Sequence, residues 1–233
     1  MRTVILVAAL LVLSQGASAH GWWIERDDGG CTLLSGHRHS EHEGAEVTEY
    51  DADWVAAAEC FDARGERSEC AVSGGYPARV EGDFAAVCFL VSSGYWTKTP
   101  YGTKNLPRSE VEQPVDSWLS YESVKLLSAW GGALGDPLTE WLEVTPTEDP
   151  FLLAEGDKVR LLVTLRGRPV AGAIVAYDGR ARGTTADDGT VNVRLRHGGL
   201  QSISATHVVP VESDKADREI HTAFLNFDVA AGR

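Results

Sequence analysis

Alternation of apolar and polar residues is clearest in the second half of the chain. Apolar side chains occupy every second position over residues 159–165 and again over 191–195. A period of two is typical of a strand with one buried face. Two further strands are predicted at 200–207 and 220–229, and turn signals rich in aspartate and glycine separate the strands. This spacing favours an immunoglobulin-like or transthyretin-like β-sandwich that starts near residue 148.

The first half of the chain is less regular. Short β-like runs occur at 46–50 and 85–91, and one short helix is predicted over residues 115–130. In that stretch the large apolar side chains fall near one helical face. They are Leu119, Leu126, Leu127 and Trp130. We expect a β-rich N-terminal part with a single helix.

A proline-flanked acidic connector separates the two parts. Pro146 and Pro150 enclose a short acidic Thr-Glu-Asp segment. We expect an N-terminal β-rich domain over residues 20–147 and a sandwich domain over residues 148–233. The fold class predicted from these patterns is mostly β, in two β-rich parts.

The first 19 residues have the features of a cleavable export signal. Met1 and Arg2 give a positive end, residues 3–13 are apolar, and Ala17 and Ala19 form an A-x-A cleavage pattern. The apolar stretch is about half the ~20 residues that a membrane-spanning helix needs. We expect cleavage after Ala19 and a periplasmic mature chain that is not membrane-inserted, with a retained signal anchor as the alternative.

Composition and charge narrow the range of partners. Hydrophobic residues make up 43% of the chain, which is typical of a globular protein, and the net charge is −13. A surface of this sign should repel nucleic acid and anionic lipid, and it tolerates cations. We therefore expect no nucleic-acid partner.

All four cysteines lie between residues 31 and 88. Export favours disulfides over free thiols, so we expect bridges confined to the N-terminal part. Cys60 and Cys70 flank a turn-like stretch that would bring two strands together, and this pairing is favoured, which leaves Cys31 with Cys88. The other two connectivities stay open. A structural zinc site is the competing interpretation, against which the long irregular spacings argue.

A histidine-rich window is the first candidate for metal chemistry. Three of the seven histidines, with two carboxylates, lie within residues 36–43. Imidazole nitrogen is a good ligand for nickel, copper, cobalt and zinc. If the chain is extended here, His37 and His39 project from the same side. The alternative is a solvated polar loop.

Two later histidines are placed by strand alternation. His207 shares the side of Ile203 and Ala205, and His221 shares the side of Ala223 and its apolar neighbours. If these strands are antiparallel neighbours, we expect both histidines to lie close together at one end of the sandwich. The alternative is a pair of rim histidines that are hydrogen-bonded to loops.

Cleavage after Ala19 would make His20 the mature N-terminus. A free N-terminal histidine can chelate a metal ion with its α-amine and its ring nitrogen, provided that neither is protonated. The predicted metal ligands are thus His20, His37, His39, His207 and His221.

Several motifs together resemble a known family, the periplasmic nickel-binding accessory components of energy-coupling-factor nickel/cobalt transporters. The resemblance covers nearly the whole mature chain. It rests on HGWWIE at 20–25, GYWTK at 94–98, EVTP at 143–146, DP at 149–150, GD at 156–157, GRPVAGA at 167–173 and TTADDG at 184–189. The last two motifs are shared by many carboxypeptidase-regulatory-like sandwich modules and indicate fold more than function.

The resemblance implies capture of nickel or cobalt in the periplasm and delivery to a membrane uptake transporter, without enzymatic activity. The N-terminal histidine of the family falls on His20, and its histidine after a glycine falls on His37. The resemblance implies nickel as the bound metal, with cobalt as an alternative. Copper is a further alternative, because nitrogen-rich sites bind copper more tightly than nickel or cobalt.

Two other classes of function are considered. A copper-binding protein or copper-dependent oxidative enzyme acting on polysaccharide would also use an N-terminal histidine, with Trp22, Trp23 and Tyr76 as a substrate surface. The C-terminal half has the pattern of a separate small sandwich, which argues against this class. A hydrolase is not supported either, because the sequence contains no G-x-S-x-G motif. The second class is a metal-free exported binding module in which the histidines are incidental.

Overall fold

The computed structural model describes residues 21–38 and 47–230. The predicted signal peptide and its cleavage site lie outside the described residues. The strands are β1 (Gly21–Asp27), β2 (Gly30–Gly36), β3 (Val55–Phe61), β4 (Arg67–Ser68), β5 (Ala71–Val72), β6 (Arg79–Glu81), β7 (Ala86–Thr99), β8 (Gly102–Lys104), β9 (Asp116–Leu127), β10 (Glu143–Pro146), β11 (Lys158–Leu165), β12 (Arg168–Pro169), β13 (Ile174–Tyr177), β14 (Arg180–Thr184), β15 (Thr190–Arg194), β16 (Gly199–Pro210) and β17 (Arg218–Val229). Short 3₁₀ helices span Ala52–Trp54, Arg108–Glu110, Gly132–Gly135 and Pro150–Leu152.

The strands form three sheets in three layers. The central sheet has the order β14-β13-β16-β17-β9-β7-β3-β4, with β8 also paired to β7. One outer sheet has the order β1-β2-β6-β5, and the other joins β10, β12 and β15 to β11. Within the described residues no helix is long and apolar enough to cross a membrane. The prediction of a mostly β fold is confirmed.

The central sheet has a hydrophobic core on each face, and strand alternation explains both. In β7, Ala86 and Cys88 pack in the core beneath the β10–β11 sheet, whereas Val87 and Phe89 pack in the core beneath β1 and β2. Successive strand residues point to opposite faces, so a strand between two outer layers is apolar on both sides.

Both halves of the chain contribute to the central sheet. β9 and β17 pair in parallel, with Trp118 opposite Arg218 and Leu126 opposite Asn226. The sheet therefore continues across the boundary predicted at 147/148, which falls between β10 and β11. Division into two domains and the immunoglobulin-like class of the second part stay predictions.

The helix predicted over residues 115–130 is wrong, because this segment forms β9. β9 lies between β7 and β17, and from Ser123 to Leu127 its side chains are buried on both faces. When both faces of a strand are buried, its sequence no longer alternates between apolar and polar residues. The spacing of its apolar residues can then match one face of a helix.

The cysteine prediction is half right. Cys60 and Cys70 form a disulfide that links β3 to the segment before β5. Cys31 and Cys88 are free and buried. The predicted Cys31–Cys88 bridge is wrong, because Cys31 lies in the core beneath β1 and β2 whereas Cys88 points into the core on the opposite face of the central sheet.

Peptide mapping should therefore find one bridge and two thiols. Burial raises the pKa of the Cys31 thiol to about 12 and that of Cys88 well above its ordinary value. The thiolate is the reactive form, so neither should react with a thiol reagent in native protein. After unfolding in guanidinium, mass spectrometry should show both alkylated and Cys60 still bound to Cys70. A peptide joining Cys31 to Cys88 would contradict the structure.

Candidate functional site

The structure pairs His207 with His221. They lie directly opposite each other on the antiparallel strands β16 and β17, as predicted from the sequence. Directly opposed residues of an antiparallel pair project from the same face of the sheet. This face carries Ala205 and Ala223, which belong to the core beneath the β10–β11 sheet. The two imidazoles thus lie side by side where that core ends.

Two further side chains hold the ring of His221. Nε2 of His221 lies 3.0 Å from Oε2 of Glu219, its neighbour two residues earlier on the same face. The ring of Tyr121 on β9 stacks against the imidazole, with centroids 5.1 Å apart and planes 14° apart. If Nε2 carries the proton donated to Glu219, Nδ1 keeps its lone pair. A carboxylate on one nitrogen and a free lone pair on the other is the common arrangement of a metal-binding histidine.

The surroundings of His207 favour its neutral form. Partial burial lowers its pKa, and the nearby charge of protonated His221 lowers it further. Neutral imidazole is the form that binds a metal ion. The pair thus combines one ring oriented by a carboxylate with a second ring biased against protonation.

His221 also lines a cleft of about 350 Å³ between the central sheet and the segment before β10. Half of the ten residues around it are apolar or aromatic, and the other half are Ser123 and four charged or titratable residues. The apolar or aromatic residues are Leu90, Tyr121, Trp141, Leu142 and Leu165, with Glu140, Arg166, Glu219 and His221 as the charged or titratable members.

A buried ion pair fixes the wall of this cleft. Nζ of Lys125 on β9 lies 2.7 Å from Oε1 of Glu143 on β10, and both side chains are 3% exposed. Glu143 also accepts hydrogen bonds from the backbone N–H groups of Leu138 and Thr139 and from the Thr139 hydroxyl. Burial opposes ionisation of Glu143, but the charge of Lys125 and these hydrogen bonds outweigh it and keep its pKa below the usual value.

The structure does not bring His37 to this pair. His20 and His39 lie outside the described residues. His37 directly follows β2, in the layer on the other face of the central sheet from His221. Among the residues that the structure describes, no group of three or more histidine, cysteine or acidic side chains is arranged to hold a metal ion.

Sequence reasoning missed the acidic and aromatic residues near the histidines. Glu219 and Tyr121 both contact His221. Glu122 was also missed, although it lies on the face of β9 away from the histidines: burial raises its pKa to about 7, and Ser120 donates a hydrogen bond to it. Alternation of β17 would have indicated Glu219, whereas the assignment of residues 115–130 to a helix hid Tyr121 and Glu122.

The aromatic residues considered for a polysaccharide surface have a different role. Trp22 and Trp23 are buried, with 7% and 2% exposure, and Trp22 packs against Tyr50 beneath β1. Tyr76 is 37% exposed and meets Tyr50 edge-on. The two tryptophans therefore do not form a substrate surface.

Comparison of the chain with family models, with curated proteins and with solved structures gives no match in any of the three. We therefore infer function from the residues of this chain.

The Lys125–Glu143 pair should dominate the stability of this region. Replacement of Lys125 by methionine leaves Glu143 as a buried charge without its partner, and we expect a loss of about 3–5 kcal/mol in unfolding free energy. Urea unfolding of wild type and Lys125→Met measures it. Arg64→Met, which removes an exposed pair with Asp62, is the control and should change stability very little. Equal, small losses in both variants would show that the buried pair does not hold the sheets together.

Proposed function

We propose that this protein is an exported metal-binding protein that captures a divalent transition-metal ion, nickel or cobalt, for a membrane uptake transporter. The observation that carries the proposal is the pairing of His207 with His221 across β16 and β17. Two imidazoles on one sheet face provide the nitrogen donors that nickel, cobalt and copper prefer. Water molecules would fill the remaining coordination positions.

The surroundings of the pair support binding of a cation. Glu219 orients His221, and its carboxylate supplies negative charge beside the ring. Burial and the nearby His221 lower the pKa of His207, which favours its neutral form. The net charge of −13 favours the approach of a positive ion at low ionic strength.

A second set of donors is proposed at the N-terminus. Gly21 of β1 pairs with Gly36 of β2. In the sequence, His20 directly precedes Gly21 and His37 directly follows Gly36. Cleavage after Ala19 would add the α-amine of His20 to these donors, and His39 follows two residues after His37. Because β1 and β2 cover the other face of the central sheet from His221, this set is proposed to bind a separate ion.

The choice of nickel or cobalt and the transporter partner rest on the motif resemblance. A site of imidazoles binds copper more tightly than nickel or cobalt in simple competition, so the metal supply in the periplasm would decide the occupant. A copper-binding protein is accordingly the second candidate function, and the same two donor sets support it.

Calorimetric titration with nickel of the correctly processed protein, near pH 8 where protons compete least, tests both sets. We expect two binding events. One extra residue before His20 converts the α-amine to an amide and should weaken the N-terminal event by about tenfold or more, as should His20→Ala. His207→Ala and His221→Ala should each abolish the binding event at the histidine pair and leave the N-terminal event unchanged.

His197, which is not among the proposed ligands, provides the control. It hydrogen-bonds to Asp178 and stacks on Tyr177, and it precedes β16 at the end of that strand away from His207. His197→Ala should change neither event. Wild-type protein without nickel-binding heat, or all variants with equal affinity, would refute the proposed function.

A further inference from the structure

The cleft beside His221 has the composition of a small-molecule site. Its volume of about 350 Å³ lies at the lower end of the range for ligand pockets in proteins. Trp141 and Tyr121 supply aromatic surface, and the leucines at 90, 142 and 165 supply aliphatic surface. Such walls would bury the apolar part of a small ligand, while the few charged groups would fix its orientation.

Two of these charged groups have opposite sign and are adjacent. The backbone N–H of Arg166 donates to the carbonyl oxygen of Glu140 at 3.0 Å, so the two residues lie beside each other, and both line the cleft. Neither side chain forms an ion pair with any residue in the described part of the chain. A guanidinium and a carboxylate that share a cleft wall without pairing are both available to a ligand.

The chemistry of this pair selects a dipolar ligand. A guanidinium binds a carboxylate through paired N–H donors. Glu140 would accept hydrogen bonds from an ammonium group, and Glu219 adds negative charge on the opposite wall. An α-amino acid carries a carboxylate and an ammonium on one carbon atom, and its side chain could then lie against Trp141 and the leucines.

We propose that the cleft binds a free α-amino acid with an apolar or aromatic side chain, with Arg166 holding its carboxylate and Glu140 its ammonium. The residues proposed to hold the amino acid are not among the proposed metal ligands, although His221 also lines the cleft.

The test uses mature protein freed of metal with a chelator, so that failure to bind nickel cannot affect the result. Calorimetric titration with L-phenylalanine should show saturable binding at one site. Phenylpropionate, which lacks the ammonium, and phenethylamine, which lacks the carboxylate, should each bind about tenfold more weakly or worse, because each leaves one charged partner unpaired.

Two variants test which charged group of the ligand each residue binds. Arg166→Gln should weaken the binding of phenylalanine by about tenfold and leave the affinity for phenethylamine unchanged. Glu140→Gln should weaken the binding of phenylalanine and leave the affinity for phenylpropionate unchanged. Arg168→Gln and Glu148→Gln, at positions outside the cleft, are the matched controls and should have no effect. Absence of phenylalanine binding, or equal binding of phenylpropionate and phenylalanine, would overturn the proposal.

Discussion

The buried ion pair between Lys125 and Glu143 fixes how the β10–β11 sheet lies on the central sheet. Removing two charges from water costs several kcal/mol for each ion, so such a pair persists only when hydrogen bonds satisfy the remaining donors and acceptors. Here Thr145 accepts a second hydrogen bond from Lys125, and the segment at 138–139 donates to Glu143. The pair thereby also holds the chain that forms one wall of the cleft.

The two proposed sites depend on this arrangement in different ways. The histidine pair is set by the register of β16 and β17 within one sheet, which backbone hydrogen bonds maintain. The cleft lies between two sheets, and its shape depends on the segment that Glu143 anchors. Loss of the ion pair should therefore change the shape of the cleft more than the geometry of the histidine pair.

The sequence predicted features that depend on local periodicity. The strands of the C-terminal half and the register of His207 against His221 followed from alternation, because these strands have one face that is clearly apolar. The Cys60–Cys70 bridge followed from a turn between close cysteines. Each of these features involves strands or residues that are near one another in the chain.

Features set by the three-layer architecture were not predictable in this way. β9 is covered on both faces, which removed its period of two and made it resemble a helix. Pairing Cys31 with Cys88 by elimination ignored the central sheet that separates their cores. The contact of Tyr121 with His221 depends on the parallel pairing of β9 with β17, which joins segments about a hundred residues apart and leaves no local pattern.

The most direct test of a metal site at the histidine pair is anomalous diffraction at the nickel absorption edge, from crystals of correctly processed protein grown with nickel. We expect an anomalous peak within bonding distance of the imidazoles of both His207 and His221, with Glu219 still hydrogen-bonded to His221. A nickel-saturated crystal in which neither imidazole contacts an anomalous peak would contradict it.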